Sequence, residues 1–161
     1  MPCYLIDSNF WINAAHYYPI DLFPSFWETI KGLIEDGTIA IHEMVLNEIN
    51  EKEDFLGPWL TGTVSFSKVK ISQEGFGIYL ELCAWAENNP QYNEKAIDEF
   101  KENSRADAWI CAEAKAGNFT VVTDERSSNS PNKVKIPNVC NANGIHCISN
   151  FEFMRINNFR F

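Results

Sequence analysis

The sequence predicts an α/β fold, a three-layer α/β/α sandwich around a central, mainly parallel sheet. Three observations carry that expectation. Short, continuously apolar runs recur along the chain, each stopped by turn or acidic residues, as in strands buried on both faces. Between them lie runs whose apolar residues recur at helical spacing. Strands alternating with helices favour parallel pairing, with helices packed on both faces of the sheet.

The elements follow in order. Cys3-Tyr4-Leu5-Ile6 is the first strand, ended by Asp7-Ser8-Asn9. A helix is expected over residues 24–36, with Pro24 at its start and Gly37 just past its end. Thr38-Ile39-Ala40-Ile41 is a second buried strand, and the helix after it carries Met44, Val45, Leu46 and Ile49. Residues 52–103 read as a helical elaboration in which Ile78, Leu82, Trp85 and Ala86 share a face. Within it, Phe66-Ser67-Lys68-Val69-Lys70-Ile71 alternates like a half-exposed or edge strand. Ser104-Arg105-Ala106-Asp107 opens an alanine-rich helix that ends at Gly117. Phe119-Thr120-Val121-Val122-Thr123 is a third buried strand, closed by Asp124-Glu125. A polar loop over 127–131, a short helix near 139–143 and a last strand over 145–148 complete the chain.

The 161 residues, 45% hydrophobic and 22% charged, suit one domain over 1–161 with a substantial core, and argue against disorder. No apolar stretch approaches the roughly 20 residues that span a bilayer. The first residues lack the basic start and long apolar run of a signal peptide, so a cytoplasmic protein is expected. Five cysteines, an odd number with no C-x-x-C pair, read as reduced thiols among apolar neighbours.

In open parallel sheets, ligands gather at the carboxyl ends of the strands. Two strands here end directly in acids, at Asp7 and at Asp124-Glu125. Asp107 starts the helix that feeds the second of them, and Glu48 lies at the margin of an apolar helical stripe. Two carboxylates about 4 Å apart repel by roughly 4 kcal/mol at an effective dielectric near 20. A convergent set therefore points to a hard divalent cation, Mg²⁺ or Mn²⁺, and to phosphodiester hydrolysis. Each acid also has a plain alternative: Asp7 as a turn or cap residue, Asp107 as a capping partner of Ser104, and Glu48 as a solvated helix acid competing with Glu43, Glu51 and Glu53.

These motifs, with Tyr4-Leu5-Ile6-Asp7-Ser8-Asn9 first, Val45-Leu46-Asn47-Glu48-Ile49 in the middle and Ala106-Asp107-Ala108-Trp109-Ile110 leading to Val121-Val122-Thr123-Asp124-Glu125, resemble the PIN domain of VapC-type ribonuclease toxins and other nucleases. Ile136-Pro137-Asn138-Val139-Cys140 also resembles a PIN-like subfamily long catalogued without a function. The resemblance implies that Asp7, Glu48, Asp107 and Glu125 are catalytic and metal-binding, with Asp124 as the reserve for the fourth position. It implies supporting roles for Ser8, Asn9 and Thr123. It further implies endoribonuclease activity with Mg²⁺ or Mn²⁺, and often a homodimer inhibited by a cognate antitoxin. Arg126, Lys133 and Lys135, just after the fourth acid, are candidate phosphate contacts, with ordinary surface bases as the alternative.

The net charge of −9 opposes nucleic-acid binding unless cations or local bases offset it. Two other readings compete. Asp7 suits the nucleophile of a haloacid-dehalogenase-like phosphatase, but Asn9 stands where such enzymes have a second Asp. A non-catalytic PIN-like scaffold would use the Phe-rich end (Phe151, Phe153, Phe159, Phe161) and Trp59-Leu60 as a partner surface, although core packing explains them equally. His16, His42 and His146 have no G-x-S-x-G elbow to serve, and His42 reads as a cap or surface residue.

Overall fold

A computed structural model describes residues 3–52, 54–63, 66 and 68–161. Its elements are β1 (Tyr4–Ile6), α1 (Ser8–Tyr17), α2 (Pro24–Glu35), β2 (Ile39–His42), α3 (Glu43–Asn50), α4 (Leu56–Thr63), β3 (Lys68–Val69), α5 (Gln73–Glu87), α6 (Glu94–Lys101), α7 (Ala106–Gly117), β4 (Thr120–Thr123), α8 (Ile136–Asn143), β5 (Cys147–Ser149) and α9 (Asn150–Ile156). The strands form one sheet in the order β3-β2-β1-β4-β5, and each pairing is parallel. Helices cover the sheet, which is the three-layer α/β/α arrangement expected.

Leu5, Val121 and Val122 are fully buried, and Ile6, Ile39 and Ile41 are nearly so, which is why the strands read as unbroken apolar runs. The alternating segment became an edge strand only at Lys68–Val69, beside β2; Ser67 lies outside the described residues, as does Glu53. Helix α2 begins at Pro24 and gives way at Gly37, whose φ of +85° lies in the left-handed region. Helix α8 starts at Ile136, a turn earlier than expected, because Pro137 fits the first turn of a helix.

Two helices were not anticipated. Helix α1 follows Asp7 at once and buries Phe10, Trp11 and Ala14. Helix α9 divides the Phe-rich end: Phe153 packs edge-on against Tyr4 (5.0 Å between ring centres) and Phe10 (6.0 Å), while Phe151 and Phe161 are exposed. Phe159 and Leu60 join the core, and Trp59 packs against it. Cys83, Cys111 and Cys140 are buried free thiols, whereas Cys3 and Cys147 are only partly covered. No helix among the described residues is long and apolar enough to cross a membrane.

Helix α5 is locked onto α7 at two points. The Tyr79 and Trp109 rings stack with centres 3.6 Å apart. One turn further along α7, the buried Glu113 carboxylate accepts from the Ser72 N–H (2.6 Å) and hydroxyl (3.0 Å), fixing the cap of α5. A Cβ at Gly75 would overlap Glu113 Oε1, whereas one at Gly77 would meet nothing within 4 Å. Gly75→Ala should therefore destabilise the fold by roughly 1–3 kcal/mol through overpacking. Gly77→Ala should stabilise it by about 0.5–1 kcal/mol through helix propensity. Urea unfolding of both variants checks the opposed signs.

Candidate active site at the sheet edge

Strands β1 and β4 are parallel neighbours, with Ile6 opposite Val122, so the residues that follow them emerge at one edge. The Asp7 N–H donates to the Val122 carbonyl (2.9 Å), which extends the ladder by one residue and carries Asp7 into the interior. Asp7 is completely buried and Thr123 almost so. The Thr123 hydroxyl donates to Asp7 Oδ2 (2.9 Å), and its oxygen accepts from the Glu125 N–H (3.1 Å). One hydroxyl thus ties the first acid to the backbone of the fourth.

Asp7 Oδ1 is buried with no hydrogen-bond partner among the described residues. Burial pushes the Asp7 carboxyl well above the usual range, and the nearby Asp107 and Glu125 charges push it further. Asp7 stands at the N-cap position of α1 but makes no side-chain capping bond, so capping does not account for it. Ser8 is buried, its hydroxyl unpartnered among the described residues, while the Asn9 side chain is exposed.

Glu48 reaches across from α3, and its Oε1 accepts from the Ala106 N–H at the start of α7 (2.7 Å). That contact replaces the local cap expected from Ser104, whose hydroxyl donates to Glu102 instead. Glu48 thereby fixes the helix turn that bears Asp107. The Asp107 carboxyl is pushed up to about 6, by burial first and then by Glu125; Lys133 acts in the opposite sense.

Glu125 is the best compensated of the acids. Its Oε2 lies 3.2 Å from Lys133 Nζ and 3.6 Å from Lys135 Nζ, with the side chain only 6% exposed. Its Oε1 accepts a long bond from the Ile136 N–H at the start of α8 (3.4 Å). Asp124 is held differently: its Oδ2 accepts from the Asn13 amide (2.8 Å). Lys133 and Lys135 therefore face the acids rather than open solvent alone, and Arg126 is exposed and makes no ion pair among the described residues. His42 caps α3, with Nδ1 accepting from the Met44 N–H (3.0 Å), but it is a core residue, not a surface one.

The structure thus brings Asp7, Asp107 and Glu125 within electrostatic reach of one another, with Glu48 beside Asp107. As placed, no group of three or more His, Cys, Asp or Glu side chains among the described residues is close enough to hold a metal ion. The donor chemistry nonetheless fits a hard cation: all oxygen, mutually repelling, with one buried Asp7 oxygen left without a side-chain donor among the described residues. Asn13 escaped the sequence reading because α1 did, although Phe10, Trp11 and Ala14 already carry a helical spacing.

A family model described as a domain of unknown function (DUF4411) matches residues 4–161, and the chain belongs to that family. No curated protein matches. Among solved structures, the chain is similar to the VapBC2 complex from Rickettsia felis bound to a DNA fragment from their promoter. The likeness has a TM-score of 0.53 and 21% identity, over 81% of this chain and 97% of that one. The fold is of the PIN-like, VapC type.

The folded protein holds the Asp107 proton more tightly than an unfolded chain, whose carboxyl titrates near 3.8. Its contribution to stability is fully present below that value and is lost as pH rises through about 6. In chelator, raising the pH from 5 to 7.5 should cost about 1 kcal/mol through Asp107 alone. Denaturant unfolding at both pH values should show this loss reduced in Asp107→Asn. Equal losses in the two proteins would mean that Asp107 is not under this electrostatic load.

Proposed function

We propose that this DUF4411 member is a metal-dependent endoribonuclease that hydrolyses RNA phosphodiester bonds, the toxin of a toxin–antitoxin pair in the cytoplasm. The observation that carries this reading is Asp7: a fully buried acid at the sheet edge, with one unpartnered oxygen, beside two further acids. A carboxylate so placed is costly unless a cation or proton meets it.

Asp7, Glu48, Asp107 and Glu125 are the residues to hold Mg²⁺ or Mn²⁺, with Asp124 in reserve. Bound there, the cation supplies a Lewis acid that lowers the pKa of a water and steadies charge on the phosphate. The chain's own residues do the rest. Thr123 orients Asp7 through its hydroxyl. Glu48 sets the start of α7 and hence the position of Asp107. Lys133 and Lys135 offset the acids and offer ammonium groups to a phosphate of the RNA, with Arg126 outside them. Ser8, with its unpartnered hydroxyl, and the Asn9 backbone support Asp7.

The active unit is one domain over residues 1–161, with 52–103 as its elaboration. The likeness to a VapBC2 complex supports a cognate antitoxin as the partner, and a homodimer is the assembled form proposed with it. The exposed side chain of Asn9 leaves the phosphatase reading without its second acid.

The test is cleavage of a structured RNA pool with Mn²⁺, with Mg²⁺ and with chelator. Asp7→Asn should reduce metal-dependent cutting by roughly 10²–10³-fold, the scale of deleting one charge-stabilising group. Wild-type cutting by that variant would rule the site out. Glu125→Gln should slow cleavage more than Asp124→Asn, since Asp124 is engaged by Asn13; the reverse order would give the fourth position to Asp124.

A further inference from the structure

Beside the acids lies a recess of about 220 Å³ between α1 and α9. That is smaller than the ~300 Å³ at which pockets for drug-sized ligands begin, so its occupant is a single ring system. Phe10 and Met154 line its apolar wall. Two aromatic side chains stand at its margin unusually uncovered: Tyr17 is 67% exposed and Phe151 55%. Asn13, Asp124 and Asn150 are among its polar lining residues. Asp124 Oδ2 accepts from Asn13, and Oδ1 makes no hydrogen bond among the described residues. An acceptor left in that state costs stability that a donor on a bound ligand would recover.

We propose that this recess binds one unstacked nucleobase of the RNA, stacked on Tyr17 or Phe151, with its exocyclic amine donating to Asp124. The inference rests on the ribonuclease reading for its choice of ligand, and it names what that site recognises: single-stranded RNA with an amino-bearing base. Aromatic rings and a fixed acceptor are the combination by which proteins read splayed-out bases. The position suits the chemistry. Asp124 and Glu125 are consecutive, so their Cα atoms are about 3.8 Å apart. Yet Asp124 faces α1 through Asn13, whereas Glu125 faces Lys133 and Lys135. A base held against Asp124 brings its own phosphate toward the acids. The position of the donor discriminates: cytosine, adenine and guanine carry an exocyclic amine, whereas uracil offers only its ring N3–H.

The test is binding without turnover, by titrating the full chain in chelator with cytidine, adenosine and uridine 5′-monophosphates, and with ribose 5-phosphate. Cytidine or adenosine monophosphate should bind several-fold more tightly than uridine monophosphate, and ribose phosphate should bind weakest. Tyr17→Ala and Phe151→Ala change exposed side chains and should fold; at least one should weaken nucleotide binding by roughly five- to a hundredfold, the range of a lost base stack. Asp124→Ala removes the acceptor and should erase the preference over uridine. Equal binding of ribose phosphate and nucleotides, or full binding by both aromatic variants, would overturn the proposal. So would a short tryptophan-containing peptide that binds through Tyr17 when nucleotides do not. Tyr17- or Phe151-dependent nucleotide binding in a protein that cuts no RNA would uphold the pocket and refute the nuclease. RNA cutting unaffected by either aromatic substitution, with no base preference in binding, would do the reverse.

Discussion

The structure turns on the burial of one carboxylate. Asp7 sits beyond the end of β1, at the middle of the sheet, fully buried and without an ion pair among the described residues. Among the described residues the Thr123 hydroxyl is its one side-chain hydrogen-bond donor, and that hydroxyl comes from the neighbouring strand. The pairing of β1 with β4 therefore does more than build a sheet: it sets the register that delivers a donor to the first acid and aligns Glu125 beside it. A protein gains nothing in stability from such an arrangement. Its persistence in a well-packed core is what the proposed cation site would account for.

The other acids are positioned by what they already hold. Glu48 is committed to the start of α7, Asp124 to α1, and Glu125 to two lysines from the loop before α8. These contacts also ease the electrostatic objection raised by a net charge of −9. The cluster carries its own partial compensation, and the two ammonium groups come from the same short loop. Asp7 and Asp107 are left with the raised pKa values, which marks them as the positions with the most to gain from an added positive charge.

Much of the fold was legible because burial on both faces leaves a plain mark. Leu5, Ile41 and Val121 belong to unbroken apolar runs that only a covered parallel strand explains. Helix ends at Pro24 and Gly37 were equally plain, since backbone geometry restricts which residues stand there; the end at Gly117 was also legible, although the left-handed residue after it is Asn118. Helix α1 was hidden because Asp7-Ser8-Asn9 reads as a turn, and its first turn lacks any acid. Helix α9 was hidden by its aromatic content, where Phe153 serves the core and Phe151 does not. Of the acids, adjacency to strand ends was readable for Asp7, Asp124 and Glu125. The grip of Glu48 on Ala106 spans 58 residues and no local pattern announces it.

The bond between Thr123 and Asp7 joins residues 116 apart in the chain. At roughly 5–20 residues per second of synthesis, about 6–23 s separate the appearance of the first from the second. Strand β1 must meanwhile wait with one edge unpaired, since β4 is its second neighbour in the sheet. The assembly of the acid edge is thus a late event on the ribosome, and a nascent chain cannot display the completed edge while most of it is still being made. Sequence separation acts as a clock: the acid edge is completed only once Thr123 to Glu125 have emerged.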